Sequence, residues 1–450
     1  MQTYFGLPDP PFERRAHLTI GNFDGVHCGH QALVEQMARA AHADGSMAGL
    51  LTFSPHPMAV LRPQVPLQFL TTPDERADLL AALGLDFVLV LPFTPETAAL
   101  TAADFMQSLV AHVPLSALWI GPDFALGHNR EGDARALGAL GIKLDFHLQI
   151  MPPFEQEGEP VRSSRIRRLL SEDGAVDRAA ALLGRPYQVL GEVQLGAQRG
   201  RTLGFPTANV ALEPGRLAPK FGVYACWAWR GTKGYPAAVN IGRRPTFDNG
   251  EPSIEAYLLD FSGDLYGETL GLGFVRRLRG EQRFEDIRAL ATQIRADADA
   301  ARSVLAQPPD LDMAAPGDRW QELEHTADWA IRVTAASQRE LFARTAAAMY
   351  SLQDVQTALP ITLARATALL ADSMPDLLVA WLNQLLLHQD TEDEMYLHFD
   401  INEISPCGLR SVAYGYHGTP VHTAVKAVTY YDLAVAESAG EWSATITFDV

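Results

Sequence analysis

Cysteine is nearly absent: Cys28, Cys226 and Cys407 are the three in 450 residues, far apart and without metal-ligand spacing. That excludes a disulfide framework and a cysteine-based metal centre, and makes a reducing, cytoplasmic setting the expectation. Also missing is any apolar run long enough to span a bilayer. The segment MQTYFGLPDPPFERRAH has no apolar stretch followed by a small-residue cleavage site, so neither a secretory leader nor a membrane partner is expected. Basic residues are few, 36 against 54 acidic, for a formal net charge of −18. Such a chain is ill suited to gripping a polyphosphate backbone, which takes clustered Lys and Arg, so no direct nucleic-acid contact is expected. A small anionic ligand stays compatible, because one local site can be positive on an acidic protein.

What is present is the balance of a globular protein, 47% hydrophobic and 20% charged, over a length that suits two or three domains. Residues 1–183 alternate strand-like runs (HLTI at 17–20, GLLTF at 49–53, FVLVLPF at 87–93, ALWIG at 117–121, LDFHLQI at 144–150) with helical periodicity. This predicts an α/β, Rossmann-like domain with a parallel sheet, whose ligands lie outside the carboxyl ends of the strands. Residues 184–305 read instead as short β runs broken by turns and closed by a helix over 284–305, which predicts a small β-barrel. AQPPDLDMAAPGD, within 306–318, has linker composition. Residues 319–450 mix both periods and predict an α+β domain with helices over 338–352 and 375–389.

TIGNFDGVHCGHQALV carries the strongest local signal. A strand ends at Ile20, a turn with Gly21, Asn22 and Asp24 follows, and a helix opens near Gly29 between His27 and His30. Helix N-termini attract phosphate, and imidazoles donate to phosphoryl oxygens. The alternative makes the histidines helix caps or metal ligands. The stretch resembles the nucleotidyltransferase signature of the bacterial bifunctional riboflavin kinase/FMN adenylyltransferase (FAD synthetase) family. TFSPHP (52–57), IGPDFALG (120–127), SSRIRRLL (163–170) and LLGRPY (182–187) continue the match. The resemblance implies His27 and His30 as catalytic stabilisers of the transferred adenylyl group. Gly21, Asn22, Asp24 and Gly29 would form the nucleotide loop, and Ser163, Ser164 and Arg167 the second phosphate motif. Asp123 and Phe124 would line the flavin and adenine region. The family commonly has Thr at Ser164, and a basic or aromatic pair where Ala125 and Leu126 stand.

In the β segment, Thr207 and Asn209 alternate along one predicted strand face, and Glu255 is a carboxylate in a largely apolar run. A metal bridging phosphates and a base near a hydroxyl are what phosphoryl transfer to an alcohol requires. Turn capping by Thr207 and Asn209, with Glu255 a solvent-face charge, is the alternative. GFPTAN, FGVYA, NIGRRPTF, IEAYLLDF, LYGETL and RLRGEQRF are similar to the family's riboflavin kinase module, a six-stranded barrel. That similarity implies Glu255 as base for the ribityl hydroxyl and Thr207 with Asn209 at Mg²⁺ and phosphates. It further implies Arg279, Arg283 and Phe284 near the flavin, with Tyr257 standing where the family has His.

The order HTAD, WLNQLLLHQDTED (381–393), VKAVTYYDL (425–433) and FDV resembles archease, a family that assists an RNA-joining ligase of the tRNA-splicing type. It implies a divalent metal, Ca²⁺ being one candidate, at Asp328 and Asp449, with Lys426 as a functional contact; the family more often has His at Tyr431. Solvated strand-end acids are the alternative for the two carboxylates. The expected function is ATP-dependent conversion of riboflavin to FMN and of FMN to FAD, with Mg²⁺, in a chain whose third domain activates an RNA ligase. One alternative is a catalytically weak flavin-binding accessory of that ligase. Another is a nucleotidyltransferase for a pantetheine or glycerol phosphate, which leaves the barrel without a role.

Overall fold

The computed structural model describes residues 1–196, 204–243, 252–306, 320–323, 329–353, 359–419, 425–438 and 440–450. They fall into two compact units. One comprises Met1–Arg167, Leu182–Gly184 and Gly215–Leu217; the other comprises Arg168–Ala181, Arg185–Pro214 and Ala218–Val450.

The first unit is built on six parallel strands: β1 (Gln2–Phe5), β2 (Ala16–Ile20), β3 (Met47–Ser54), β4 (Phe87–Pro92), β5 (Leu115–Ile120) and β6 (His147–Ile150), in the order β1-β4-β3-β2-β5-β6. Continuous apolar runs suit strands covered on both faces, and successive residues divide between two layers. Leu50 and Val88 join α1 (Cys28–Ala43) through Val34 and Met37, whereas Leu51 and Leu89 face Phe105 and Leu109 of a helix over Ala102–His112. Strand order reverses at β2, so the switch point lies between β2 and β5, where open α/β sheets bind ligands. The strand predicted over 144–150 is shorter than expected. Leu144 ends a helix and Asp145 caps it at φ 57°, so β6 starts only at His147.

In the second unit, β7 (Tyr187–Gln194), β8 (Ala208–Val210), β9 (Gly222–Arg230), β10 (Lys233–Arg243), β11 (Pro252–Leu258) and β12 (Thr269–Arg279) pair antiparallel, and the β9–β10 pairing closes a six-stranded barrel. Tyr224, Cys226, Val239, Ala256, Leu272 and Phe274 are buried in its wall. The helix predicted from 284 begins later, as α2 (Ile287–Leu305), because the Asp286 side chain accepts from the Ala289 N–H and sets its first turn. The region predicted as a linker lies almost wholly outside the described residues.

The C-terminal domain is α+β as predicted, with two strands before its first helix. Strands β13 (Trp320–Leu323), β14 (Trp329–Ala335), β15 (Leu363–Leu370), β16 (Glu394–Ser405), β17 (Gly408–His417), β18 (Ala427–Ser438) and β19 (Glu441–Asp449) surround α3 (Gln338–Leu352) and α4 (Met374–Glu392). The sheets β13-β14-β19-β18 and β15-β17-β16 enclose a core that includes Phe342, Trp381, Phe399 and Phe448.

Candidate active sites

The turn after β2 is held in conformations that most side chains avoid. Gly25 has φ 84°, and a Cβ there would meet Leu70 at 2.8 Å. Phe23 and Val26 also take positive φ (49° and 38°) and are buried. Positive φ costs on the order of 1–3 kcal/mol per non-glycine residue, so the surroundings over-determine this turn. Gly21 donates its N–H to the Leu51 carbonyl, and Gly29 lies in the first turn of α1.

The turn is pinned by Asp24, whose side chain is 2% exposed. Its carboxylate accepts from Leu70 N–H (3.0 Å), Thr71 N–H and Thr71 Oγ1 (3.1 Å each), and pairs with Arg76 and Arg167. Ser163 Oγ donates to the Asp24 carbonyl at 2.9 Å, and Arg167 Nε to that of Gln68. Arg167 is thus set on the wall of a cavity of about 830 Å³. Asn22, Asp24, His30, Ser163 and Ser164 share that wall with His56, Phe69 and Arg130. Asn22 and Asp24 follow β2 and His56 follows β3, His30 lies in the first turn of α1, and Ser163 and Ser164 lie on a short helix over Ser163–Arg168.

His27 caps α1. Its Nδ1 accepts the His30 N–H at 3.3 Å, so in the neutral ring the proton lies on Nε2. Capping, one of the two readings of this pair, therefore describes His27 in this structure, and it leaves the Nε2–H as the ring's donor. The rings of His27 and His30 stack with centroids 3.6 Å apart. His30 Nδ1 is buried, with no hydrogen-bond partner among the described residues. Burial, then the neighbouring His27 and Arg76, holds His30 well below the ordinary histidine range, so its ring is neutral near pH 7.

Asp123 and Phe124 lie on the loop after β5 but turn to other partners. Asp123 is exposed and pairs with Arg162 at 2.5 Å, while Phe124 and Leu126 pack against the apolar layer of the sheet. Arg130, which donates to the Asp123 carbonyl, is the loop's contribution to the cavity wall.

On the barrel, Asn209 stands opposite Glu255, and Glu255 opposite Asn240, so three polar residues cross β8, β11 and β10 in one row. Ile254 and Ala256 on either side of Glu255 are buried, which places Glu255 and Tyr257 on the other face. Thr207 precedes β8 rather than lying in it, yet it shares with Asn209 the partly exposed face. Asn209 lies so close over Gly196 that a Cβ there would fall 2.0 Å from its amide nitrogen. Arg279 is fixed by Asp297 of α2 through two bonds of 2.9 and 2.7 Å, and lies 5.8 Å from the Phe284 ring. Arg283 is exposed nearby. Tyr257 meets Phe205 edge-on at 5.5 Å.

In the C-terminal domain, Asp449 ends β19 and its carbonyl accepts the Lys426 N–H, while Lys426 Nζ donates to the Val450 carbonyl. Tyr431 is exposed on β18. Asp328 lies outside the described residues. Among the described residues no cluster of three His, Cys, Asp or Glu could hold a metal, and no helix is long and apolar enough to cross a membrane.

Sequence reading missed His56, Arg76, Arg130, Asn240 and Asp297. His56 and Asn240 sit inside quoted motifs, TFSPHP and NIGRRPTF. Arg76 and Asp297 lie on helices remote in sequence from their partners, where no local pattern marks them.

A parallel sheet with a phosphate-suited cavity at its switch point, joined to a closed barrel with a polar row, defines a nucleotidyltransferase coupled to a kinase-type barrel. The FAD synthetase family model matches residues 9–165, the riboflavin kinase model 183–305 and the archease model 320–450. The bifunctional riboflavin kinase/FMN adenylyltransferase of Escherichia coli K12 is 37% identical over 287 residues, 63% of this chain and 91% of that one. That of Pseudomonas fluorescens is 37% identical over 309 residues, 68% and 98%. A crystal structure described as a macrolide-efflux protein from Streptococcus pneumoniae aligns with TM-score 0.62 and 30% identity, covering 67% of this chain and 99% of that one. The chain belongs to the bifunctional riboflavin kinase/FMN adenylyltransferase family, and carries an archease-family domain after it. It is a transferase with both activities.

Proposed function

We propose that the two transfers run at separate sites, kinase chemistry at the Asn209–Glu255–Asn240 row and adenylyl transfer at the cavity beside His30. The register that puts Glu255 between two carboxamides carries the first assignment. In the kinase step the ribityl hydroxyl oxygen bonds to the γ-phosphorus of ATP, its proton passes to the Glu255 carboxylate, and ADP leaves. Arg279, braced by Asp297, with Phe284 and Arg283, holds the flavin end.

Mg²⁺ needs oxygen donors and keeps much of its shell for phosphates and water. The Thr207 hydroxyl and the Asn209 carboxamide oxygen fit that demand and share the partly exposed face beside Glu255. Held by these two side chains, Mg²⁺ would supply charge neutralisation to the transferring phosphates.

In the second transfer an FMN phosphate oxygen bonds to the α-phosphorus of ATP and pyrophosphate leaves. His27 Nε2–H, the His30 ring, Ser163, Ser164 and Arg167 supply donors and positive charge where the phosphoryl oxygens gather. Asn22, the backbone at Gly21 and Gly29, and the loop of Asp123 and Phe124 complete the nucleotide and flavin walls. Asp24 holds the arginines in place. Domain boundaries at 183/184 and 305/306, with residues 306–318 as linker and 319–450 as the third domain, are part of this reading.

For the third domain we propose the archease-like role, promoting an RNA ligase of the tRNA-splicing type through protein contact rather than RNA contact. The family match over 320–450 and the −18 charge support it. Lys426 and Asp449 meet at one end of the domain; a divalent metal with Asp328 belongs to this proposal, and no step is derived through it.

Chromatography of variant reactions tests the separation. Glu255→Gln should abolish FMN formation and leave adenylylation of supplied FMN, and His30→Ala should do the reverse. Loss of both FMN formation from riboflavin and adenylylation of supplied FMN in either variant contradicts separate sites.

A further inference from the structure

The C-terminal domain is joined to the barrel by more than the chain. β10 of the barrel pairs antiparallel with β15, Lys233 opposite Arg365 and Gly234 opposite Ala364. The Ala366 N–H donates to the Thr232 carbonyl at 3.0 Å. The barrel's sheet thereby runs on into β15-β17-β16.

A buried charge cluster sits at this junction. The Glu394 side chain is 0% exposed and is gripped by the Arg365 guanidinium, with Tyr396 Oη donating at 2.5 Å. From the barrel, Lys233 Nζ comes within 3.8 Å of Glu394 and 3.7 Å of Glu392, and Thr232 Oγ1 accepts from Arg365 at 3.3 Å. Burial alone would raise the Glu394 carboxyl; hydrogen bonds from Arg365 and Tyr396 outweigh it and hold the group below its ordinary range.

An apolar layer continues the contact. Trp227 and Ala238 of the barrel, Ala301 and Leu305 of α2, and Ala364 and Tyr414 of the C-terminal domain form one buried cluster. The Trp227 and Tyr414 rings lie 5.7 Å apart. A barrel stripped of its neighbour would present this face, Trp227 included, to water.

The same elements hold the kinase row. Ala238 lies two residues before Asn240 on β10, hence on the same face, and its cross-strand partner is Tyr257, two residues beyond Glu255. α2 places Ala301 and Leu305 in the layer and, one turn before Ala301, the Asp297 that fixes Arg279. β10 and α2 thus each carry residues of both the site and the junction.

We infer that the archease-like domain is a built-in partner of the kinase barrel, the two opening as one cooperative unit, so that filling the flavin–nucleotide site stabilises both. The inference rests on the kinase site proposed around Glu255. Its test is hydrogen–deuterium exchange, resolved by peptide, on the full chain with and without FMN, ADP and Mg²⁺. With ligand at 100 times its Kd, amides that exchange through opening of the joint unit slow by about 100-fold.

The expected result is a similar factor in peptides from β7–β12 and from β15–β17. Slowing in the barrel with none in β15–β17 overturns the inference and leaves the kinase site standing. No slowing in either means the ligands do not bind where Glu255 was placed, and the inference falls with that reading. Ala364→Glu, which drives a carboxylate into the contact with Gly234, should keep the barrel's slowing and abolish that of β15–β17. If β15–β17 still slow with the barrel in that variant, coupling does not pass through this junction and the inference is wrong. Should the variant fail to fold, the wild-type comparison decides by itself.

Discussion

Replacing Asp24 by Asn tests how the adenylyl site is assembled. The Asp24 carboxylate answers two backbone N–H groups, one hydroxyl and two guanidinium groups while almost wholly buried. The Arg76 side chain is itself 12% exposed, so a neutral Asn leaves it a cation without a counter-charge and with little water. Removing one member of a buried pair costs about 3–5 kcal/mol, and the retained carboxamide oxygen puts the expected loss near the lower end, about 3 kcal/mol. With a urea dependence of about 2–3 kcal/mol per molar, the midpoint of the N-terminal unit should fall by about 1–1.5 M. FAD formation should drop with it, because Arg167 loses its anchor, while FMN formation from riboflavin persists. Loss of FAD formation with an unmoved urea midpoint would refute the reasoning, since the carboxylate would then serve the ligand and not the arginines.

Burial keeps His30 neutral, so the unfolded chain takes up a proton below about pH 6.5 that the folded one refuses. The stability tied to this group is whole above pH 6.5 and declines as pH falls, by up to about 1.4 kcal/mol per unit, until the folded ring titrates; His30→Gln should flatten that slope in urea titrations from pH 7.5 to 5.5, and an unchanged slope refutes it. Asp297→Asn frees Arg279 and should raise the KM for riboflavin about tenfold, the worth of one charged hydrogen bond, with kcat less affected; a pure kcat loss would speak against a positioning role. Gly191→Ala puts a Cβ 1.9 Å from the Ala211 carbonyl oxygen and should destabilise the barrel by about 1–3 kcal/mol, read as a lower urea midpoint; no shift contradicts that packing.

Local pattern showed five of the six strands of the first sheet, because buried parallel strands are continuous apolar runs such as Met47–Ser54, and missed the mostly exposed β1. It showed the nucleotide turn because glycine and paired histidines cluster between a strand and a helix. The helix predicted over 338–352 matches α3 to the residue, since Ser337 and Glu340 mark its first turn. What escaped was non-local. Arg76 reaches Asp24 from 52 residues away, and Asn240 joins Glu255 only through strand register. The β10–β15 junction has no sequence signature, because any two exposed strand edges can pair. Asp145 misled the strand reading because a left-handed cap can stop a helix where the apolar run continues.

The most direct measurement is a time course of purified full-length chain with riboflavin, ATP and Mg²⁺, separated chromatographically. Two linked transfers at separate sites predict that FMN rises first and then falls as FAD accumulates. Absence of both products, or FAD appearing only when FMN is supplied, contradicts the account.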